Sequence, residues 1–261
     1  MSWASKRRAL YVGGVILFFL IIISIPVAKY FLSIKPTCFD GRQDGGETAV
    51  DEGGPCVKLN PADLSPLSTL WARAFQVRDG SYTAVAYLEN PNQGAGVAQV
   101  DYQFSLYDAA NIEIAEQDGT AAVLPGGITP ILETGIDTGN RVAVHTYFKI
   151  TDDNLDWEAM TSPASAVAIS NQTVSNTDSM PRITALATNT SFASFYNVRY
   201  VVVVFDPSGN AIAASQTLSQ ELDPSTPQQI TFTWPAAFGA SVGRIDIIPL
   251  LAPQQASAAA H

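Results

Sequence analysis

The sequence predicts an all-β ectodomain of two tandem β-sandwiches behind one N-terminal transmembrane helix. Three observations predict it. Residues 9–28, ALYVGGVILFFLIIISIPVA, carry no charge. Beyond about residue 66, short apolar alternation is punctuated by turn residues. Landmarks in the first half of that body recur in the second at a near-constant offset.

The apolar run comes first in the chain. Twenty helical residues rise about 30 Å, the thickness of a bilayer's hydrocarbon core. Gly13, Gly14 and Pro26 are tolerated in a membrane helix, and Tyr11 and Tyr30 fall where interfacial aromatics belong. Lys6, Arg7 and Arg8 precede the run, and Lys29 and Lys35 follow it. The positive-inside rule then leaves residues 1–8 in the cytoplasm, makes 9–34 a signal anchor and puts the rest outside. A cleaved signal peptide would need an apolar stretch of about 7–15 residues and a small-x-small site. Pro26-Val27-Ala28-Lys29-Tyr30 offers no such site.

Charge supports this division. All 24 acidic residues lie beyond Pro36, with nine of the 14 basic ones, so that part carries −15. Such a body lacks the basic face that nucleic acid requires, and it is repelled by an anionic bilayer.

Residues 35–65 are rich in glycine and acid and read as a stalk. Cys38 and Cys56 lie on the oxidising side of the anchor, and a disulfide between them is expected. Closing this loop contributes about 3 kcal/mol in the chain-entropy model. A redox pair would favour Cys-x-x-Cys spacing, which is absent. Asp40, Asp44, Glu47, Asp51 and Glu52 crowd the loop. They read either as weak Ca²⁺ candidates or as a solvated acidic surface. Asp152-x-Asn154-x-Asp156 begins like a calcium loop but has Trp157 and Pro163 where glycine and glutamate are needed.

The body divides at 66–160 and 161–251, with a flexible tail at 252–261. In the first half, Tyr82–Leu88, Val100–Tyr107, Ile112–Glu116 and Arg141–Ile150 read as strands. Ile183–Thr188, Val198–Phe205, Ala211–Ser215, Ile230–Trp234 and Arg244–Leu250 follow in the second, after a strand near Ala164–Ser170. Asn90 recurs as Asn189, Tyr102 as Tyr200, Asp108 as Asp206 and Asn111 as Asn210, each 98 or 99 residues on. Two units of roughly 90 residues with short strands and no amphipathic helix fit Ig-like β-sandwiches. Phe104 and Leu106 should share one face of a strand, with Tyr107 on the other, and Asp108 should open a turn.

Two stretches resemble known families. Phe104-Ser-Leu-Tyr-Asp108 is similar to the signature of the FxLYD family, small Ig-like modules of bacterial envelope proteins. The second half has Val203-Val-Phe205-Asp206 at that place, a divergent version. Cys38, Asp40-Gly41, Gly45, Glu47-Thr48, Asp51, Gly53-Gly54 and Cys56 resemble a cysteine motif of bacterial surface proteins. Glu52 stands where that motif has a further cysteine. The FxLYD resemblance implies a fold and an extracellular placement, and it implies no catalytic residues.

No catalytic or cofactor-binding residue is assigned. His145 is the one non-terminal histidine, and Gly-x-Ser-x-Gly is absent. Trp71, Trp157 and Trp234 read as packing residues, with a carbohydrate platform as the alternative. Asn171-Gln-Thr and Asn189-Thr-Ser are glycosylation sequons. The expected protein is a non-catalytic, single-pass envelope protein. Its sandwiches, rod-like in arrangement, present surfaces for adhesion or scaffolding through contacts with other envelope or surface proteins. An accessory subunit of an envelope machine is the second reading, and an extracytoplasmic glycosidase the third.

Overall fold

The computed structural model describes residues 3–33, 37–252 and 254–255. The side chains of Lys6 and Tyr30, the whole of Lys35, and residues 256–261 of the expected tail lie outside the described residues. Helix α1 spans Trp3–Ser33. Its stretch Arg7–Lys29 is long and apolar enough to cross a membrane, and the body covers none of it. Leu10, Phe18, Ile22 and Val27 all face outward. A helix apolar all round belongs either to the core of a large protein or to a membrane span.

The body is almost entirely antiparallel sheet. Its first half holds β1 (Ser68–Arg78), β2 (Ser81–Asn90), β3 (Ala95–Tyr107), β4 (Glu113–Val123), β5 (Gly127–Asp137), β6 (His145–Ile150) and β7 (Trp157–Thr161). The second holds β8 (Val167–Ser175), β9 (Arg182–Asn189), β10 (Phe195–Phe205), β11 (Ala211–Leu222), β12 (Gln228–Thr233) and β13 (Arg244–Leu250). A two-residue strand, β14 (Gln254–Gln255), follows. Sheet β1-β2-β5 faces a sheet in which β3 pairs with β4 on one edge and with β6 and β7 on the other. The second half gives the orders β8-β9-β12 and β11-β10-β13.

Each half encloses a core between its two sheets. Tyr82, Ala84, Ala86 and Leu88 of β2 meet Val100, Tyr102, Phe104 and Leu106 of β3. Ile183, Ala185 and Ala187 of β9 meet Val198, Tyr200, Val202 and Val204 of β10. A third cluster joins the halves: Val85 and Tyr87 of β2 pack on Val201, Val203 and Phe205 of β10. The sheets β1-β2-β5 and β11-β10-β13 therefore lie face to face. Strands covered on both sides read as continuous apolar runs, which accounts for Val-Arg-Tyr-Val-Val-Val-Val-Phe in β10. Trp71 stacks on Tyr87 with ring centroids 4.5 Å apart and meets Phe205 edge-on at 6.0 Å. Arg73 Nη1 donates to the Ala211 carbonyl at 2.7 Å, and Tyr87 OH donates to Asp246 at 3.3 Å. The halves lie side by side through this junction, where a rod would place them end on.

Several boundaries differ from the sequence expectation: β4 and β11 run on to Val123 and Leu222, and β1, β5 and β7 are strands beyond the expected set. The long closing strand begins at His145 rather than Arg141. Residues 163–166 form a 3₁₀ turn ahead of β8. The start of the expected tail is ordered as well: Gln254 and Gln255 pair with Thr161 and Met160 of β7.

Candidate functional site

The disulfide expected between Cys38 and Cys56 is present, with Cα atoms 5.6 Å apart. The carboxylates around it accept hydrogen bonds from the loop's own backbone. Asp51 accepts from the N–H groups of Asp40 and Gly41, at 2.9 and 3.0 Å. Glu47 accepts from those of Asp44 and Asp51, at 3.3 and 3.2 Å, and Asp40 accepts from Arg42. Glu52 pairs with Lys58, which also reaches Asp156, and both carboxylates raise the Lys58 pKa. Glu47 Oε1 lies 3.3 Å from Cys56 Sγ, a disulfide sulfur with no proton to donate and no thiolate to offer a metal. Asp44 Oδ1 is buried without a partner among the described residues, though its side chain is only half-buried. Asp40, Glu47 and Asp51 thus turn their oxygens to the loop's own N–H groups, while Glu52 turns to Lys58.

Beyond the disulfide, the loop continues onto the body. Ala159 N–H donates to the Val57 carbonyl at 2.6 Å, and Leu59 N–H donates to that of Trp157 at 2.8 Å. Residues 57–59 thereby extend the free edge of β7 next to β14. The expected stalk is in this part a strand added to the first half.

The landmark residues are structural. Asn90 and Asn189 are fully buried. Asn90 Nδ2 donates to the Ala95 and Leu124 carbonyls, and Asn189 Nδ2 donates to those of Ala193 and Leu222. The sequon at Asn189 is closed to glycan by this burial. Asp108 Oδ1 accepts from the N–H groups of Ala110 and Ile112 and so opens the expected turn. These bonds hold its carboxyl below the usual range, with help from Arg141. Asp206 does the same for its turn through Asn210. Trp157 and Trp234 are buried, the latter donating from Nε1 to the Ala214 carbonyl, and Trp71 lies in the junction.

His145 is exposed on β6. A cavity of about 310 Å³ opens between the halves, lined by Thr120, Leu132, Asn197, Arg199 and Gln216 among others. The Tyr102 ring reaches its wall, and the Tyr102 hydroxyl donates to Glu133 at 2.6 Å. Burial, then that hydrogen bond, raises the tyrosine pKa. Gly119 lies directly opposite Tyr102, and a side chain there would collide with the Tyr102–Glu133 pair.

One feature that presents itself outward is an apolar patch at the far end of the first half. Ile112, Val142, Val144 and Tyr147 are all exposed there. β3 has 13 residues, so this end lies about 40 Å from the β7 end where residues 57–59 attach. The patch is fixed in place. Arg141 pairs with Asp108, and Thr138 Oγ1 donates to the Arg141 carbonyl at 2.7 Å. Val144 N–H donates to Tyr107 at 2.8 Å, and Tyr107 and Tyr147 meet edge-on at 5.3 Å. Alternation alone turns Val142 and Val144 inward with Phe148. They stay outside because Arg141 is held at the turn and strand pairing starts only at His145.

No family model and no curated protein matches the chain. Among solved structures, a red sea bream transglutaminase is similar with TM-score 0.23 and 10% identity. That match covers 71% of this chain, which spans only 29% of the transglutaminase chain. The N-terminal CBM22-1–CBM22-2 tandem domain of Paenibacillus barcinonensis Xyn10C is similar with TM-score 0.16 and 8% identity, over 75% of this chain and 86% of that one. At these TM-scores neither likeness carries an argument.

Proposed function

We propose that this is a non-catalytic, single-pass cell-envelope protein that presents paired Ig-like modules of FxLYD type outside the membrane for adhesion or scaffolding. The observation that carries the reading is the fixed apolar patch Ile112, Val142, Val144 and Tyr147, at the end of the first half remote from the loop that follows α1. Protein contact surfaces concentrate exposed apolar and aromatic residues on pre-organised scaffolds. The uncovered helix Arg7–Lys29 supports the anchor. The recurring strand orders and the matched bonds of Asn90 and Asn189 support two copies of one module.

A photo-crosslinking residue at Val144 of the full-length protein in intact cells tests this reading, with Ser170 as the control position. Crosslinks from Val144 and not Ser170 to surface proteins of the same or a neighbouring cell are expected. Crosslinks confined to an assembly in the same membrane would favour the accessory-subunit reading. Equal labelling from both positions would defeat both.

A further inference from the structure

The end of the body that meets the loop after α1 carries exposed aromatic side chains that the proposed adhesion surface does not use. Phe39 is 92% exposed beside Cys38, and Phe192 is 102% exposed in the loop that carries the chain from β9 in one sheet to β10 in the other. Tyr196 stands out from the start of β10, its hydroxyl bonded to Glu221. A single exposed aromatic needs no explanation. Here two independent lines of geometry gather them at one end.

The first line runs through the disulfide. It brings Cys38 to Cys56, and the next residue, Val57, is bonded to Ala159 of β7. Phe39 is therefore tied to the β7 end of the body. The second line runs through the connection between the halves. β7 ends at Thr161, and the 3₁₀ turn Pro163–Ala166 follows. The Ala166 carbonyl accepts from both the N–H and the hydroxyl of Thr190, at 2.8 and 3.0 Å. Phe192 is two residues further on, so it belongs to the same end. Four residues, and so five Cα-to-Cα steps, separate Ser33, the last of α1, from Cys38. They reach at most about 18 Å even when fully extended.

We propose that this end of the body docks on the lipid surface, with Phe39 and Phe192 seated in the headgroup region and Tyr196 beside them. The proposal rests on the reading of α1 as a membrane span. Aromatic rings favour the bilayer interface, where an apolar ring meets a polar, hydrated layer. Attraction to anionic lipid supplies none of the affinity, because the part beyond Pro36 carries −15 and an anionic surface repels it. Asp51 and Asp40 accept from loop N–H groups, Glu52 pairs with Lys58, and Asp223 accepts from Ser194. Docking would therefore be insensitive to salt and strongest on zwitterionic lipid. The body would be held upright on the membrane with its apolar patch pointing away.

The test uses the full-length chain in phosphatidylcholine liposomes containing doxyl-labelled lipid. An environment-sensitive fluorophore is placed singly at Ala193→Cys, at Ser208→Cys in the turn between β10 and β11, or at Phe19→Cys within α1, with the native disulfide intact. Quenching several-fold stronger at 193 than at 208 is expected, unchanged by high salt. It should fall to the level at 208 when Phe39 and Phe192 are both replaced by serine. Quenching at 19 with none at 193, or quenching at 193 that survives the double substitution, overturns the docking proposal and leaves the membrane span standing. Absence of quenching at 19 overturns the span and this proposal with it.

Discussion

Asn90 and Asn189 show how much a single buried amide holds. Each donates from Nδ2 to two carbonyls across the core edge and accepts at Oδ1 from the N–H two residues on. Truncation leaves buried carbonyls without donors, and each such group costs about 1–3 kcal/mol. Asn189→Ala is expected to lower the unfolding free energy by about 2–4 kcal/mol in urea titration. A loss within a few tenths of a kcal/mol would mean that water replaces the amide. The sequence marked these positions by their spacing alone. Their role was hidden, because an asparagine before a turn usually faces solvent, and only the strand packing buries these two.

Among the elements, the loop 38–56 and the segment 57–59 illustrate how a polar stretch gains order. The sequence offers the segment few apolar residues. The disulfide, the inward-turned carboxylates and the edge of β7 supply the structure instead. Replacing both cysteines by serine removes a closure that contributes about 3 kcal/mol in the chain-entropy model. The loss is expected to be local. Hydrogen exchange should accelerate across residues 38–59, including the Leu59 N–H, while β2 and β10 keep their protection. Uniform acceleration through both cores would show that the loop is part of the global folding unit. Strand alternation was legible for β3, where Phe104 and Leu106 turn inward and Tyr107 outward. It misled at Arg141–Val144, where bonds to Thr138 and Asp108 keep the chain out of the sheet.

The whole molecule depends on the junction between its halves. Val85, Tyr87, Val201, Val203 and Phe205 form a third apolar layer between two sheets that each already cover a core. Burying one such side chain contributes about 1.5–3 kcal/mol, so the halves should not unfold independently. Phe205→Ala removes a ring held by Trp71, Tyr87 and the Arg244 guanidinium 4.1 Å above it. The substitution is expected to cost about 3–5 kcal/mol. The parent is expected to unfold in one calorimetric transition, and the substitution to split it into two. A transition that stays single and merely shifts would show that other junction contacts suffice.

The sequence by itself determined the local choices. An uncharged run of 20 residues reads as an apolar helix, alternation with turn residues reads as antiparallel strand over most of the body, and two cysteines beyond that helix were enough to expect their bridge. These follow from short-range periodicity, composition and loop closure. Only the tertiary structure decided that the halves lie sheet against sheet, that residues 57–59 and 254–255 share the edge of β7, and that Ile112, Val142, Val144 and Tyr147 gather outside. The double-sided burial of β10 was written in its valines. Which surface would cover its second face depends on contacts between residues more than 100 positions apart, such as Arg73 with Ala211, and no local pattern encodes these.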